Sequence, residues 1–155
     1  MPEGNLKKTK RTNLVRNPAR ADYDRDVVNQ IIDATPLCHV SYIIDGRPYV
    51  TPTLQWREGD TIYWHGSSAS RFLRQIVGKD VCMAITHFDG LVLARSAFHH
   101  SINYRSVMLF GEATKIEDSE KNKLLHNFVE NLIPGRWENL RQMTDQEATA
   151  TTVFS

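Results

Sequence analysis

The chain has 155 residues, of which 41% are hydrophobic, and its 19 Lys and Arg against 18 Asp and Glu leave a net charge of +1. This length predicts one domain that buries about 70% of its unfolded surface, and the near-zero charge excludes a strongly basic nucleic-acid binder or an acidic disordered chain. Two cysteines are too few for a disulfide framework or a structural zinc site, and no apolar run reaches the ~18 residues of a membrane span, so we expect a cytoplasmic protein that binds neither membrane nor nucleic acid.

The N-terminal segment is polar and basic, without hydrophobic periodicity. Positive charges between Met1 and Arg11 are not followed by the apolar stretch of a secretory signal. We therefore predict a flexible basic arm over residues 1–17 and a folded domain over residues 18–155.

Hydrophobic patterning then predicts a helix followed by three antiparallel strands. Apolar residues on one face predict a helix over residues 22–34. The strands are predicted over residues 37–44, 49–56 and 61–65. Asp45-Gly46 and Glu58-Gly59-Asp60 are turn sequences between them. Because Pro48 and Pro52 donate no ladder hydrogen bond, each is expected at a sheet edge or a bulge, or against a ligand.

The second half is predicted as a helix, further antiparallel strands and C-terminal helices. The helices are predicted over residues 68–77 and 118–132, with a short one from Pro134, and the strands over residues 81–86, 91–94 and 104–115. Asp89-Gly90 is expected to form the turn between two of these strands. Residues 144–155 are polar and then become strand-like. Consecutive hairpins exclude a doubly wound parallel sheet, so the fold class is mainly β with helices (α+β), and such a sheet can close as a small barrel.

Several motifs of known chemistry are missing from the sequence. There is no dinucleotide-binding G-x-G-x-x-G, no P-loop, no G-x-S-x-G and no H-E-x-x-H. His99 and His100 are adjacent, and adjacent side chains on a strand point to opposite faces, so no metal site is predicted. Cys38 and Cys82 lie within apolar strands and are expected to be buried, inert thiols.

The segment His65-Gly66-Ser67-Ser68-Ala69-Ser70-Arg71 joins the end of a predicted strand to the start of a predicted helix. It offers free backbone N–H groups, three hydroxyls and one guanidinium at the positive end of the helix dipole. These are the donors that hold a phosphate group. The alternative is an ordinary serine-rich helix cap with a solvated Arg71.

A second polar segment, residues 96–106, leads into an apolar strand. Strand alternation places Tyr104 with Met108 on one face, and Arg105 with Val107 on the other. Arg105 therefore needs a bound anion, a subunit interface or an internal carboxylate as its partner.

Thr51-Pro52-Thr53 is the third candidate segment. Because Pro52 breaks the ladder, the flanking amides are free to meet a flat ring system. The alternative is a simple edge strand.

Taken together, these segments resemble the FMN-binding split-barrel superfamily, which includes pyridoxamine 5′-phosphate oxidase, and within it the flavin-nucleotide-binding and nitroimidazole-resistance branch. The stretches that carry the resemblance are Tyr23-Asp24-Arg25, Ile62 to Gly66, Asp89 to Ser96, His99 to Val107, and Phe110 to Ala113. The resemblance implies an antiparallel split β-barrel of six strands that forms a homodimer, with FMN in the cleft between the subunits.

The resemblance also implies where the cofactor is bound. The residues along the isoalloxazine ring are Pro52, Thr53 and Leu54, and those around the ribityl chain and phosphate are His65, Gly66, Ser67, Ser68, Ser70 and Arg71. Tyr104 and Arg105 are implied near the flavin or the subunit contact, and His65 is the best candidate for a titrating site residue. Many relatives carry Gly at the place of Ser70 and Lys at the place of Phe72, which leaves Arg71 and Arg74 as the cations here.

The function implied is that of an FMN-dependent oxidoreductase acting on a small organic substrate such as a nitro-aromatic compound. Two alternatives stay open: haem or a deazaflavin in the same fold, and a non-catalytic flavin-binding stress or sensor module. By the same resemblance the chain stops before the family's last strand. An exposed sheet edge near residues 151–154, frayed or covered by the dimer partner, is therefore expected.

Overall fold

Six antiparallel strands in the order β5-β4-β1-β2-β3-β6 dominate the computed structural model, which describes residues 4–155. The strands are β1 (Leu37–Ile44), β2 (Arg47–Glu58), β3 (Thr61–Ser67), β4 (Asp80–Val92), β5 (Ser101–Glu112) and β6 (Thr151–Phe154). The helices are α1 (Arg25–Asp33), α2 (Arg71–Ile76), α3 (Asp118–Leu132) and α4 (Asp145–Ala150). The predicted antiparallel α+β class is confirmed.

β2 divides the sheet because it changes partner along its length. Residues 47–54 pair with β1, whereas residues 55–58 pair with β3. Pro48 and Pro52 both lie in the first half, opposite Ile43 and His39, where the described strands pair with β2 on one side only. The predicted edge position of the two prolines is therefore confirmed, and their missing N–H groups cost no ladder bond on the open side.

The main core lies between the inner face of the sheet and helices α1 and α2. Asp24 caps α1 by accepting hydrogen bonds from the N–H groups of Asp26 and Val27, which starts the helix so that Val28 and Ile32 face the core. A second cluster lies under α3 and consists of Trp56, Leu124, Leu125 and Val153. β3 separates the two clusters, and its alternating side chains face one or the other.

The predicted turn at Asp89-Gly90 is wrong. β4 runs without interruption to Val92, and Leu91 and Val92 pair with Ile102 and Ser101 of β5. The register shifts between Phe88 and Gly90, where Gly90 has a φ of +151°. The two residues form a β-bulge, because continued pairing on both sides outweighs the local tendency of an Asp-Gly pair to reverse the chain.

The expected exposed edge at residues 151–154 is also wrong. β6 pairs with β3, from Ser67 opposite Thr151 to Trp64 opposite Phe154. On its other side, Ile116 donates from its N–H to the Val153 carbonyl at 3.0 Å, and residues 114 and 155 exchange two further backbone bonds. Val153 and Phe154 are fully buried. β6 is therefore the sixth strand of the sheet and is covered within the chain itself.

Part of the predicted flexible arm contacts Tyr23. The Leu6 N–H donates to the Tyr23 carbonyl at 2.7 Å, and the Tyr23 hydroxyl accepts from the Leu14 N–H at 3.0 Å. Residues 1–3 of that arm lie outside the described residues, and the domain boundary at residue 17 stays a prediction. Within residues 4–155 no helix is both long enough and apolar enough to cross a membrane.

Candidate functional site

The serine loop, residues 67–70, joins β3 to α2. It is fixed to the C-terminal part of the chain, because the Ser68 N–H donates to the Ala150 carbonyl at 2.8 Å. It is also fixed internally, because the Ser70 N–H donates to the Ser67 carbonyl at 2.9 Å and the Ala69 N–H to the Ser67 hydroxyl at 3.2 Å. These contacts give the loop one defined course at the start of α2.

Gly66 precedes the serine loop and allows α2 to pack closely on β3. A Cβ at this position would lie 2.7 Å from Cδ1 of Leu73, far inside normal contact distance. Leu73 is only 3% exposed and is held by the main core. The glycine is therefore needed for a close approach, which sets the distance between the serine loop and the sheet.

Replacing Gly66 by Ala is expected to lower the free energy of unfolding by about 1–3 kcal/mol, since an added methyl group overpacks the core around Leu73. Urea unfolding of the two proteins measures the difference. Gly111→Ala is the matched control in β5, where an added Cβ meets nothing within 4 Å. An effect at Gly66 no larger than that at Gly111 would contradict the packing role.

Arg71 lies at the start of α2 and contacts the β1–β2 turn. Its Nη2 donates to Oδ2 of Asp45 at 3.0 Å, and both side chains are mostly exposed. An exposed pair of this kind contributes little to stability, so Arg71 is available to a stronger anion. Ser70 is the N-cap of α2, but its side chain makes no capping hydrogen bond, and within residues 4–155 its hydroxyl has no hydrogen-bond partner.

Phe72 follows Arg71 and supplies no second cation at the start of α2. Its ring stacks on Tyr42 with centroids 4.2 Å apart, and it packs against the main core. The side chain that stands at the place of the family's Lys is therefore a packing residue here.

The side chain of His65 does not point toward the start of α2, where Gly66 and Arg71 lie. His65 lies on the opposite face of β3, with its ring 4.8 Å from Phe128 and 6.1 Å from Trp56. Its Nδ1 is buried without a hydrogen-bond partner, and burial lowers the pKa of the imidazole. His65 is thus a neutral, packed side chain under α3.

This burial predicts a pH dependence of stability. The pKa of His65 is lower in the folded chain than the ~6.5 of an unfolded histidine, so the unfolded state binds more protons at mildly acidic pH. The stability that His65 contributes is present above about pH 6.5 and is lost as the pH falls below it. Urea unfolding between neutral and acidic pH should show a smaller loss in His65→Gln than in the wild type. An equal loss in both would contradict the assignment.

The three predicted ring-binding residues do not share one face. Pro52 and Leu54 lie on the outer face of the sheet, opposite His39 and Leu37 of β1. Thr53 points inward and pairs with Cys38, and its hydroxyl lies 3.5 Å from the His65 carbonyl, at the limit of a hydrogen bond. The structure therefore brings Pro52 and Leu54 together on the open edge of β2, with Thr53 behind them.

The alternation predicted for Tyr104 and Arg105 is confirmed. Tyr104 and Met108 are exposed on the outer face, and Val107 is buried on the inner one. Arg105 contacts Asp89, with Nε–Oδ2 and Nη2–Oδ1 distances of 3.0 and 2.9 Å. These hydrogen bonds hold the pKa of Asp89 below its usual value. Asp89 was not predicted as the partner of Arg105, because the sequence Asp89-Gly90 was interpreted as a turn.

Exposed apolar side chains cover the outer face of the sheet, which we call the outer apolar face. Its members are Leu37, Ile43, Val50, Leu54, Tyr104 and Met108. These residues belong to β1, β2 and β5, and the paired register through β4 places them on the same side of the sheet. A set of exposed apolar side chains on one face is typical of a site of protein or ligand contact.

The two cysteines are not paired with each other. Cys38 is buried, and burial raises the pKa of its thiol to about 12, as expected for an inert side chain. Cys82 is only partly buried, and burial raises its pKa as well. Among residues 4–155 no group of three or more His, Cys, Asp or Glu side chains is placed to hold a metal ion.

Comparison with known proteins gives one family and several similar structures. The sequence profile of the pyridoxamine 5′-phosphate oxidase family matches residues 24–155. The flavocytochrome Anf3 of Azotobacter vinelandii is 48% identical over 94% of this chain, with a TM-score of 0.89. The FAD and heme binding protein of Mycobacterium smegmatis is 36% identical over 86% of this chain, with a TM-score of 0.82. A protein of Bacteroides thetaiotaomicron, described as a 5-nitroimidazole antibiotic resistance protein, is 22% identical over 86% of the chain with a TM-score of 0.67, which shows likeness of fold alone.

The match covers 69% of the length of the Azotobacter chain, 65% of the Mycobacterium chain and 78% of the Bacteroides chain. A search of curated protein sequences gives no match. The family profile covers far more than half of the chain, and the two more similar structures exceed 30% identity over most of it. This chain, with its split antiparallel sheet, is a member of the pyridoxamine 5′-phosphate oxidase family.

Proposed function

We propose that the protein is an oxidoreductase that binds a flavin between two copies of the chain. The observation that carries this proposal is the 48% identity, over 94% of the chain, to a protein named as a flavocytochrome. The Mycobacterium protein, at 36% identity, is named for binding FAD and heme. A flavin is therefore the first cofactor to test.

The start of α2 fits the phosphate end of such a cofactor. The hydroxyl of Ser70 is uncommitted, and the only anion that the described residues place against Arg71 is the exposed carboxylate of Asp45. A phosphate dianion would displace Asp45 because it offers more acceptor oxygens and a higher charge. The defined course of the serine loop keeps the Ser68 hydroxyl and the Ser70 hydroxyl near the same helix end.

The open edge of β2 fits the flat ring of a flavin. Pro52 and Leu54 present an apolar surface there, and Leu54 belongs to the outer apolar face. A second copy of the chain on that face would cover both the apolar side chains and one side of the ring. We therefore propose a homodimer with the cofactor at the subunit contact.

A bound flavin would supply the hydride or electron transfer, and the protein would bind it, orient it and exclude water. His65 is no acid or base in this proposal, because its ring is packed between Phe128 and Trp56. The substrate that we propose is a small organic compound such as a nitro-aromatic. Stoichiometric flavin without turnover of any acceptor by reduced nicotinamide would instead support a non-catalytic sensor module.

Titration with FMN, FAD and a deazaflavin tests the proposal. We expect one flavin per subunit and a melting temperature that rises with flavin concentration, since a ligand at 100 times its Kd adds about 2.7 kcal/mol of stability. Neither fluorescence quenching nor a melting shift with FMN and FAD would contradict it. Binding of the deazaflavin alone would identify that cofactor instead.

Haem is a second candidate group, favoured by the names of the two neighbours that exceed 30% identity. The Nδ1 of His100 lies 3.2 Å from the Ser96 carbonyl, which can only accept. This contact orients the ring through Nδ1 and leaves Nε2 as the atom that would bind a haem iron. In His65, by contrast, Nδ1 is buried, so we do not expect His65 to bind the haem iron. We expect a Soret shift on haem titration that His100→Ala removes and His65→Ala retains. No Soret shift in the wild type would exclude this candidate.

A further inference from the structure

Lys121 of α3 is a buried lysine with no role in the proposed flavin site as described above. Its side chain is 7% exposed, and its Nζ donates to the Ala148 carbonyl at 2.8 Å and to Oδ1 of Asp118 at 2.9 Å. Removing an ammonium group from water costs free energy unless it is well paired. Asp118 is exposed, so its contact to Lys121 does not depend on burial. The contact that does depend on the buried position of Lys121 is the one to the Ala148 carbonyl.

Ala148 belongs to α4, a helix of six residues that is too short to be stable alone. Its first turn is fixed by a capping box between Thr144 and Glu147, and Arg141 adds an ion pair to Glu147. At its last turn, the Ala148 carbonyl accepts from the Thr151 N–H within the helix and from Nζ of Lys121 in α3. Lys121 thus joins α4 to α3.

The end of α4 is in turn joined to the serine loop. The Ala150 carbonyl accepts from the Ser68 N–H at 2.8 Å, and Thr151 pairs with Ser67. A continuous series of contacts therefore leads from Lys121, through Ala148 and Ala150, to Ser68. Any shift of α4 would move the loop that precedes Arg71.

We propose that Lys121 is a positioning residue for the flavin phosphate: it fixes α4, and α4 fixes the serine loop. This inference rests on the proposed flavin site. Because the flavin ring is proposed to lie against β2, we expect Lys121 to affect binding of the phosphate end alone.

The test compares FMN with riboflavin, which has the same ring and no phosphate. Lys121→Met keeps the length of the side chain and removes its donors. We expect this variant to lower the ratio of FMN affinity to riboflavin affinity by about tenfold, the scale of one charged hydrogen bond. Riboflavin affinity itself should change by less than about twofold, and Lys121→Arg should restore most of the ratio.

Asp118→Asn is the matched control, because it removes the carboxylate and leaves the contact of Lys121 to Ala148. The ratio should stay unchanged in this variant. If Lys121→Met does not fold, Thr144→Ala loosens the other end of α4 and should lower the same ratio.

An unchanged ratio in Lys121→Met, or an equal loss of FMN and riboflavin affinity, would overturn the positioning role while leaving the flavin site intact. A wild-type protein that binds riboflavin but has no preference for FMN would overturn the phosphate assignment and this inference with it. A wild-type protein that binds FAD but neither FMN nor riboflavin would overturn this inference while leaving the proposed function intact. A wild-type protein that binds none of riboflavin, FMN and FAD would overturn the proposed function itself.

Discussion

Replacing Arg71 by Ala is expected to weaken FMN binding by about 10- to 100-fold, which corresponds to the loss of a charged hydrogen bond to phosphate. The reason is that Phe72 is a packing residue, so Arg71 is the cation at the first position of α2. Riboflavin binding should stay within about twofold of the wild type, since that ligand has no phosphate. Isothermal titration with the two ligands measures both effects.

Arg74→Ala is the matched control, because it removes the same charge one turn further along α2. Its effect on FMN binding should be clearly smaller. Asp45→Asn should act in the opposite direction and strengthen FMN binding by a few-fold, because it releases Arg71 from a weak, exposed ion pair. Equal losses in Arg71→Ala and Arg74→Ala would contradict a specific phosphate contact at Arg71.

Met108→Asp is expected to convert the proposed homodimer to monomers and to remove most of the flavin that we propose it binds. Met108 is 60% exposed in the single chain and lies within the outer apolar face. A carboxylate buried there against a second copy, without a cation to pair with, would cost several kcal/mol. Light scattering after gel filtration gives the mass, and the absorbance of the same peak gives the flavin content.

Ile133→Asp is the control for this change. Ile133 is 59% exposed, follows the last residue of α3 and is not a member of the outer apolar face. The mass and flavin content of this variant should match the wild type. A Met108→Asp protein that remains a flavin-loaded dimer would contradict the assignment of the outer apolar face to the subunit contact.

Much of the fold follows from local patterning. The bounds predicted for β1 and α3 are those of the structure, because each has a clear period of apolar residues. Asp89-Gly90 was misinterpreted because the same dipeptide suits a turn and a bulge, and only the distant pairing with β5 decides between them. α4 was missed because six residues are too few for a period, although Thr144 and Glu147 carry the spacing of a capping box.

The site was less predictable than the fold. The serine and arginine content of residues 67–71 locates the loop, but alternation along β3 could not show which cluster each face meets. His65 was therefore expected at the cofactor, whereas the structure packs it under α3. The partners of Arg71 and Arg105 lie 26 and 16 residues away in the chain, at distances that no local pattern encodes.

The visible absorption spectrum of the purified protein tests the central claim, a bound flavin, most directly. We expect the two absorption bands of an oxidised flavin, at one flavin per subunit, and we expect them to bleach when a reductant is added. A Soret band in the same spectrum would indicate that the protein also binds haem. A protein that is colourless when isolated, and stays colourless after incubation with FMN or FAD and gel filtration, would contradict the account.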